Sequence, residues 1–385
     1  MKVMTILGTR PEIIRLSAVI PLLDGQAEHT LVHTGQNFED GLSRIFFEEL
    51  NVRTPDIFMG VRAATFSGQI GQILERSEML FDQVRPDRLL ILGDTNSGLS
   101  AIVARRLGIP VYHMEAGNRC FDDRVPEEIN RRIIDHCSTV LMPYTRRSRD
   151  NLLAEGFASN RIFVTGNPIR EVMDNHSTSI EASAILGDLN LKEKRFFLAT
   201  VHRAENVDRE DRLRGILAGL ESVWQRYGYP VVLPVHPRTR SKFERFEILP
   251  DRAAFRLIEP LGFVDFLRLE QAAACVLSDS GTVQEEACIL GIPNVTLRDV
   301  TERPETLECG SNVLAGADPD AIERAVVLVM NRDTAWTPPA EYLAKDVAKR
   351  ACRVILSCRT SDPAELQWQS SKNNEDTLTD AVVRP

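Results

Sequence analysis

Short apolar runs separated by amphipathic stretches set the rhythm of this chain from its first residues. Val3-Met4-Thr5-Ile6-Leu7 is followed by a helical pattern from about Pro11 and then by Thr30-Leu31-Val32-His33. The alternation continues through the run from Leu89 to Leu92, the helical stretch from Ser97 to Leu107, Val111-Tyr112-His113 and Arg161-Ile162-Phe163-Val164. β-branched runs too short for helices, alternating with patterns of helical length, predict parallel strands covered on both faces. A polar segment from Asn175 to Ala182 interrupts the pattern, which restarts at Phe196 to Val201, Pro230 to Leu233, Arg256 to Ile258 and Ala274 to Leu277. Two α/β domains, 1–174 and 175–342, are the economical expectation. Helical patterns from Asp318 to Met330 and from Leu343 to Leu356 close the folded part, the last within 343–358. Residues 359–385 lose periodicity, fill with Ser, Asn, Asp and Thr, and predict a mobile tail.

Composition narrows the partners. With 385 residues, 43% of them hydrophobic, the chain can bury its own core without staples. Its 55 acidic and 46 basic residues give a net charge of -9, the opposite of the basic footprint that nucleic acid requires. No apolar run approaches the roughly 20 residues of a membrane helix, and Met1 leads into a strand rather than a signal peptide. A cytoplasmic protein with neither a nucleic-acid nor a membrane partner is expected. The seven cysteines are scattered without a C-x-x-C, and the seven histidines show no zinc spacing, so reduced thiols and no metal are expected.

Open parallel sheets bind ligands beyond the carboxyl ends of their strands, so the residues just after each run carry the chemistry. Gly8-Thr9-Arg10-Pro11-Glu12 offers backbone N–H groups and a guanidinium to an anion, or else caps a turn. Asp94 follows one run and Glu115 the next, while Pro126-Glu127-Glu128 opens a helix where one of the two acids is ordinary dipole chemistry. Clustered carboxylates are what proton transfer at carbon needs. In the second half, His202 and His236 each follow a run, and Ser280-Gly281 open a helix whose N-terminus suits a diphosphate. Glu286, about one and a half turns in, can accept ribose hydroxyls.

Taken in order, GTRPE, LGDTNS, HMEAGNR, PEEINRR, HRAEN, SDSGTVQEEA and the TERPE at 301–305 resemble the non-hydrolysing UDP-N-acetylglucosamine 2-epimerase family over residues 1 to 357. The resemblance implies a GT-B-like α/β fold: two Rossmann-like domains with parallel sheets facing across a cleft, the last helix crossing back to the first domain. It implies an isomerase, homodimeric and without cofactor, that inverts C2 of a UDP-linked N-acetylamino sugar. The route it implies is elimination of UDP to a 2-acetamidoglucal and re-addition. By motif position Asp94, Glu115 and Glu127 are the acid and base groups, with His202 beside them. Arg10, Arg15, His236, Ser280, Gly281, Glu286 and Arg303 hold the UDP-sugar, and the loop around Phe266 meets the uracil.

The chain departs from the family pattern in three places. Arg15 stands where many members carry lysine, Gly35-Gln36-Asn37-Phe38 replaces a Gln-His-Arg run linked to substrate activation, and Ala204 replaces an arginine in HRAEN. Together with HMEAGNRCFDDRVPEEINRRIIDH these features are similar to the branch that forms UDP-N-acetyl-L-fucosamine from UDP-2-acetamido-2,6-dideoxy-L-talose. Interconversion of UDP-GlcNAc and UDP-ManNAc is therefore the first expectation and the L-talose reaction the alternative. A hydrolysing relative, a GT-B glycosyltransferase and a non-catalytic UDP-sugar sensor are the rivals; the carboxylate set argues against the last two.

Overall fold

The computed structural model describes residues 1–35, 42–331 and 335–357, with backbone alone at 42 and 43. The segment from Gln36 to Phe38, Cys358 and the expected tail at 359–385 lie outside the described residues. The chain divides into two compact units. One comprises 1–119, 126–168 and the end of the chain from Lys345; the other comprises 120–125 and 169–344.

The first unit holds a six-stranded parallel sheet of β1 (Lys2–Leu7), β2 (Glu28–His33), β3 (Ile57–Phe58), β4 (Arg88–Leu92), β5 (Val111–Met114) and β6 (Val140–Met142), in the order 3-2-1-4-5-6. The second holds β7 (Phe197–Thr200), β8 (Val231–Pro234), β9 (Phe255–Ile258), β10 (Cys275–Ser278), β11 (Asn294–Thr296) and β12 (Asn312–Leu314), in the order 12-11-10-7-8-9. Counted within its own unit and read from β9, the second order is again 3-2-1-4-5-6, so both sheets share the doubly wound Rossmann topology. Each reverses direction beside its first strand, at β1/β4 and at β7/β10, where a crevice opens beyond the carboxyl ends. The architecture is the α/β, GT-B-like class. All pairings are parallel, in registers such as Leu7↔His33 and Ser278↔Thr200.

The apolar runs read as strands because both faces of these sheets are covered. β4 and β10 are buried at every residue. In the first unit one face packs Met4, Ile6, Leu89, Ile91 and Val111 against Phe81, Ala101 and Ala104 of the covering helices. Local chemistry starts the helices: Thr9 and Glu12 close a capping box on Arg10–Leu16, and Asp318 accepts from the Ala321 N–H at 2.8 Å to begin Pro319–Met330.

Some local expectations fail. The run from Arg161 to Val164 contains no strand; Ser159–Arg161 is a 3-10 turn and Ile162 makes an isolated bridge to Leu141. The true sixth strand is the three-residue β6, whose apolar run was too short to separate from its surroundings. The polar interruption from Asn175 to Ala182 is mostly helix, because Ile169–Asn175 and Ser177–Glu181 bury Val172, Met173 and Ile180 against their own unit. The closing helix Val347–Ser357 packs in the first unit, where Arg88 donates to the Ile355 carbonyl and Arg350 to the Thr165 carbonyl at 3.5 Å.

In the second unit, helices Glu210–Tyr227 and Pro319–Met330 approach through small residues. A Cβ on Gly215 would lie 2.5 Å from the Ala317 carbonyl oxygen, which is backbone and cannot give way. Alanine there gains about 1 kcal/mol of helix propensity but forces an overpacking cost of about 1–3 kcal/mol. Gly215→Ala is therefore expected to lower stability in urea titrations, whereas Gly187→Ala, with nothing within 4 Å, is expected to hold or raise it.

Candidate active site

In the first unit the carboxyl ends of β4 and β5 bring Asp94 and Glu115 into one electrostatic neighbourhood with Glu127 at the start of the helix Pro126–Cys137. Burial raises the Asp94 carboxyl above its usual range; Arg131 opposes the shift, and Glu115 and Glu127 add to it. Arg131 reaches Asp94 through both Nε, at 3.1 Å, and Nη2, and the Asp94 side chain keeps 22% exposure, open to a ligand. The same guanidinium donates to Glu128 at 2.6 Å. Glu128 is fully buried and bound to Arg131 and Arg132, so it is the structural acid of the pair, while half-exposed Glu127 adds its negative charge to the surroundings of Asp94.

Glu115 sits at φ +67°, a left-handed conformation that costs a non-glycine residue on the order of 1–3 kcal/mol. Its surroundings hold it there. Its N–H donates to Met142, Asn118 donates to its Oε1 at 3.2 Å, and Arg15 pairs with its Oε2. Gly117 follows at φ +78°, and a Cβ there would meet the Ser148 carbonyl at 2.3 Å, so this turn requires glycine. Arg15 is 1% exposed and stacks 5.4 Å from the Tyr144 ring centroid. The planar fork at a position where a lysine was the alternative thus meets a carboxylate and an aromatic face.

Beneath these acids lies a buried network that motif reading did not single out. His113 bonds Asp135 at 2.8 Å and the Gly93 carbonyl at 2.8 Å, and Asp135 also receives Arg119 at 2.8 Å and the Gly117 N–H at 3.2 Å. Burial pushes Asp135 up, but His113 and Arg119 outweigh it and hold the carboxyl low. The network ties together the turns that carry Asp94 and Glu115. Glu12 does the same for the turn after β1: it accepts from the N–H groups of Gly8 and Thr9 and from Ser97, and burial still lifts it to about 7. Arg10, half-buried, lies 5.8 Å from the Phe46 ring centroid, its guanidinium lowered by burial.

The second unit assembles its own group. His202 Nδ1 lies 3.0 Å from Asp279 Oδ1, and Asp279 also accepts from the His202 N–H at 2.9 Å, the Arg203 N–H at 2.9 Å and Asn206 at 3.2 Å. His236 caps the helix Pro237–Arg245, its ring centroid 5.7 Å from that of His202. Ser280 is the N-cap of Gly281–Leu290. Beside Gly281 stands Glu302, clamped by Arg298 at 2.7 Å and Arg203 at 3.4 Å, while Arg303 pairs with Glu285 at 2.5 Å. Arg203, Arg298 and Glu302 were not singled out in the sequence. Arg203 lay in HRAEN and Glu302 in TERPE, while Arg298 lay outside both, and pairing of Arg203 with Glu302 across 99 residues is invisible locally.

Glu286 is 5% exposed and interacts with Glu270, a fully buried carboxyl without a hydrogen-bond partner among the described residues. Burial, and then Glu286, hold Glu270 well above the ordinary carboxyl range. Phe266 lies in the helix Phe263–Ala272 rather than in a loop, partly buried against the apolar cluster of Leu269, Val283 and Ala287.

The profile of the UDP-N-acetylglucosamine 2-epimerase family matches residues 23–356. The chain belongs to this family. The epimerase is 40% identical over 347 residues to the UDP-N-acetylglucosamine 2-epimerase of Methanocaldococcus jannaschii, covering 88% of this chain and 95% of that one. It is 39% identical to the UDP-2,3-diacetamido-2,3-dideoxy-D-glucuronate 2-epimerase of Pseudomonas aeruginosa, covering 84% and 90%. The crystal structure of the Methanocaldococcus jannaschii UDP-GlcNAc 2-epimerase in complex with UDP-GlcNAc and UDP superposes with a TM-score of 0.88 at 39% identity, over 92% of this chain and 99% of that one. The protein is an isomerase of this type, and no helix among its described residues is long and apolar enough to cross a membrane.

The Asp279 pair of this epimerase gives a pH test. Burial pushes its carboxyl up, but the His202 ring and the backbone N–H donors outweigh that and hold it at about 2, below the ordinary 3.8 of an aspartate. A depressed carboxyl contributes stability that is complete above the unfolded value and is lost as pH falls through the folded one. That difference corresponds to about 2 kcal/mol. Between pH 4 and 2, wild type is expected to lose about that much more stability than Asp279→Asn in denaturant titrations.

Proposed function

We propose that this epimerase inverts C2 of a UDP-linked N-acetylamino sugar, interconverting UDP-GlcNAc and UDP-ManNAc. The observation that carries the reading is the set of three carboxylates, Asp94, Glu115 and Glu127, gathered with Arg15 and Arg131 at the β4 and β5 ends. The C2 hydrogen of such a sugar is barely acidic, so the reaction runs by loss of that proton with cleavage of the bond from C1 to the diphosphate oxygen. UDP then returns to C1 of the 2-acetamidoglucal, and a proton arrives at C2 on the opposite face. Two acid/base groups on opposite faces suffice. An Asp94 carboxyl raised by burial and by its acidic neighbours is better suited than an ordinary carboxylate to give as well as take a proton.

UDP is assigned to the second unit's residues. Ser280 and Gly281 at the helix start, with Arg303, receive the diphosphate, Glu286 the ribose hydroxyls and Phe266 the uracil. His202, oriented by Asp279, together with His236, Arg10 and Arg15, completes the expected sugar-nucleotide contacts. The Pseudomonas aeruginosa relative, named for a diacetamido-glucuronate, supports a family in which the hexose varies while C2 chemistry persists. The L-talose substrate is accordingly assayed beside UDP-GlcNAc.

In deuterium oxide the true substrate is expected to gain deuterium at C2 and to give its epimer with UDP attached; free sugar as the main product moves the assignment to hydrolysis. Asp94→Asn or Glu115→Gln is expected to lower kcat by about 10²–10⁴ with KM changed little. Near-normal turnover removes that residue from the chemistry.

A further inference from the structure

We propose that Cys288 and Cys309 form an oxidative modification site, a dithiol that a hydroperoxide converts into an intramolecular disulfide. Their sulfurs are in contact at 3.7 Å, although 21 residues separate them. Cys288 is fully buried in the helix Gly281–Leu290, and half-buried Cys309 closes the short helix Pro304–Glu308. Cys309 is therefore the sulfur an oxidant reaches first.

The surroundings favour that order. The two thiols share a hydrogen bond, and Ser311 Oγ lies 3.4 Å from the Cys309 sulfur. That shared bond lowers the Cys309 thiol, while the same bond and burial raise Cys288. A thiolate is the attacking species, so the accessible partner is also the activated one.

A disulfide needs an S–S distance of about 2.05 Å, so the sulfurs must close by about 1.7 Å. The yielding side is the end of the five-residue helix. Gly310 follows Cys309 in the left-handed region at φ +84°, with nothing within 4 Å of the position its Cβ would take.

The chemistry balances. The Cys309 thiolate attacks one peroxide oxygen, the O–O bond breaks, and the departing hydroxide takes a proton to become water, leaving a sulfenic acid. The Cys288 sulfur then attacks the Cys309 sulfur, the S–O bond breaks, and that hydroxide leaves as a second water with the Cys288 proton. Two thiols and one hydrogen peroxide give one disulfide and two waters, with two electrons passing from sulfur to oxygen.

The site lies where a crosslink has consequences. Cys288 is two residues beyond Glu286, and the helix that Cys309 closes has as its N-cap Arg303, which pairs with Glu285 at 2.5 Å. The crosslink therefore joins the two helices assigned to UDP, and its bearing on turnover rests on that assignment.

Full-length reduced protein, freed of reductant and treated with hydrogen peroxide, tests the site by mass rather than by activity, so the result is independent of the UDP assignment. The expected result is a loss of two hydrogens from the intact chain, a peptide pair joining Cys288 to Cys309, and reversal by dithiothreitol. Cys288→Ser is expected to trap Cys309 as a sulfenic acid that reacts with dimedone, and Cys309→Ser to leave Cys288 reduced. Wild type that accumulates the dimedone adduct without the crosslink, that links either cysteine to a different one, or that keeps both thiols reduced while Cys137 oxidises overturns the proposal.

Discussion

The first unit depends on cations buried against the acids of its sheet edge. Asp94 and Glu115 end adjacent parallel strands, and Glu127 opens the next helix, so three negative groups share a poorly hydrated corner. Carboxylates placed this way repel one another and lose their water, and the chain answers with two guanidinium groups on helices. Arg131 serves Asp94 and Glu128 together, and Arg15 holds Glu115 while resting on Tyr144. Removing one partner of such a buried pair costs about 3–5 kcal/mol, because the other charge is left stranded. The same contacts hold Glu115 in its left-handed conformation, so electrostatic repair and side-chain aim are one arrangement.

The two units solve opposite problems with buried acids. In the first, burial and like charges push Asp94 up, toward a group that gives and takes protons. In the second, Asp279 is surrounded by donors and held at about 2, a permanent anion whose task is to orient His202. Environments that drive titratable groups apart are the usual means by which acid/base roles are divided. The second unit also neutralises its charges internally. Glu302 is clamped by Arg298 and Arg203 beside the start of a helix, and Arg303 is matched to Glu285, so the guanidinium groups there are positioned before any anionic ligand arrives.

Much of the fold was legible along the chain because both sheets are buried on both faces. Their central strands, such as β1, β4, β7 and β10, are nearly continuous apolar runs bounded by turn residues. The failures fall where that signal thins. β3, β6, β11 and β12 have two or three residues each, too few for a period, and the segment after Asn175 buries only an occasional apolar residue from an otherwise polar stretch. The family resemblance placed Phe266 in a loop, yet the helix begins at Phe263.

The sequence by itself determined the doubly wound class and put acids, histidines and glycines just beyond the strand ends, because strand period and turn chemistry are local properties. It left undecided whether Glu128 is held in buried ion pairs, what Arg15 pairs with, and what steadies His202. Tertiary structure decided these. Arg15 meets Glu115 across 100 residues, Arg131 meets Asp94 across 37, and His202 meets Asp279 across 77. Ion pairing and pKa depend on distance and burial in space, and neither is a function of position along the chain.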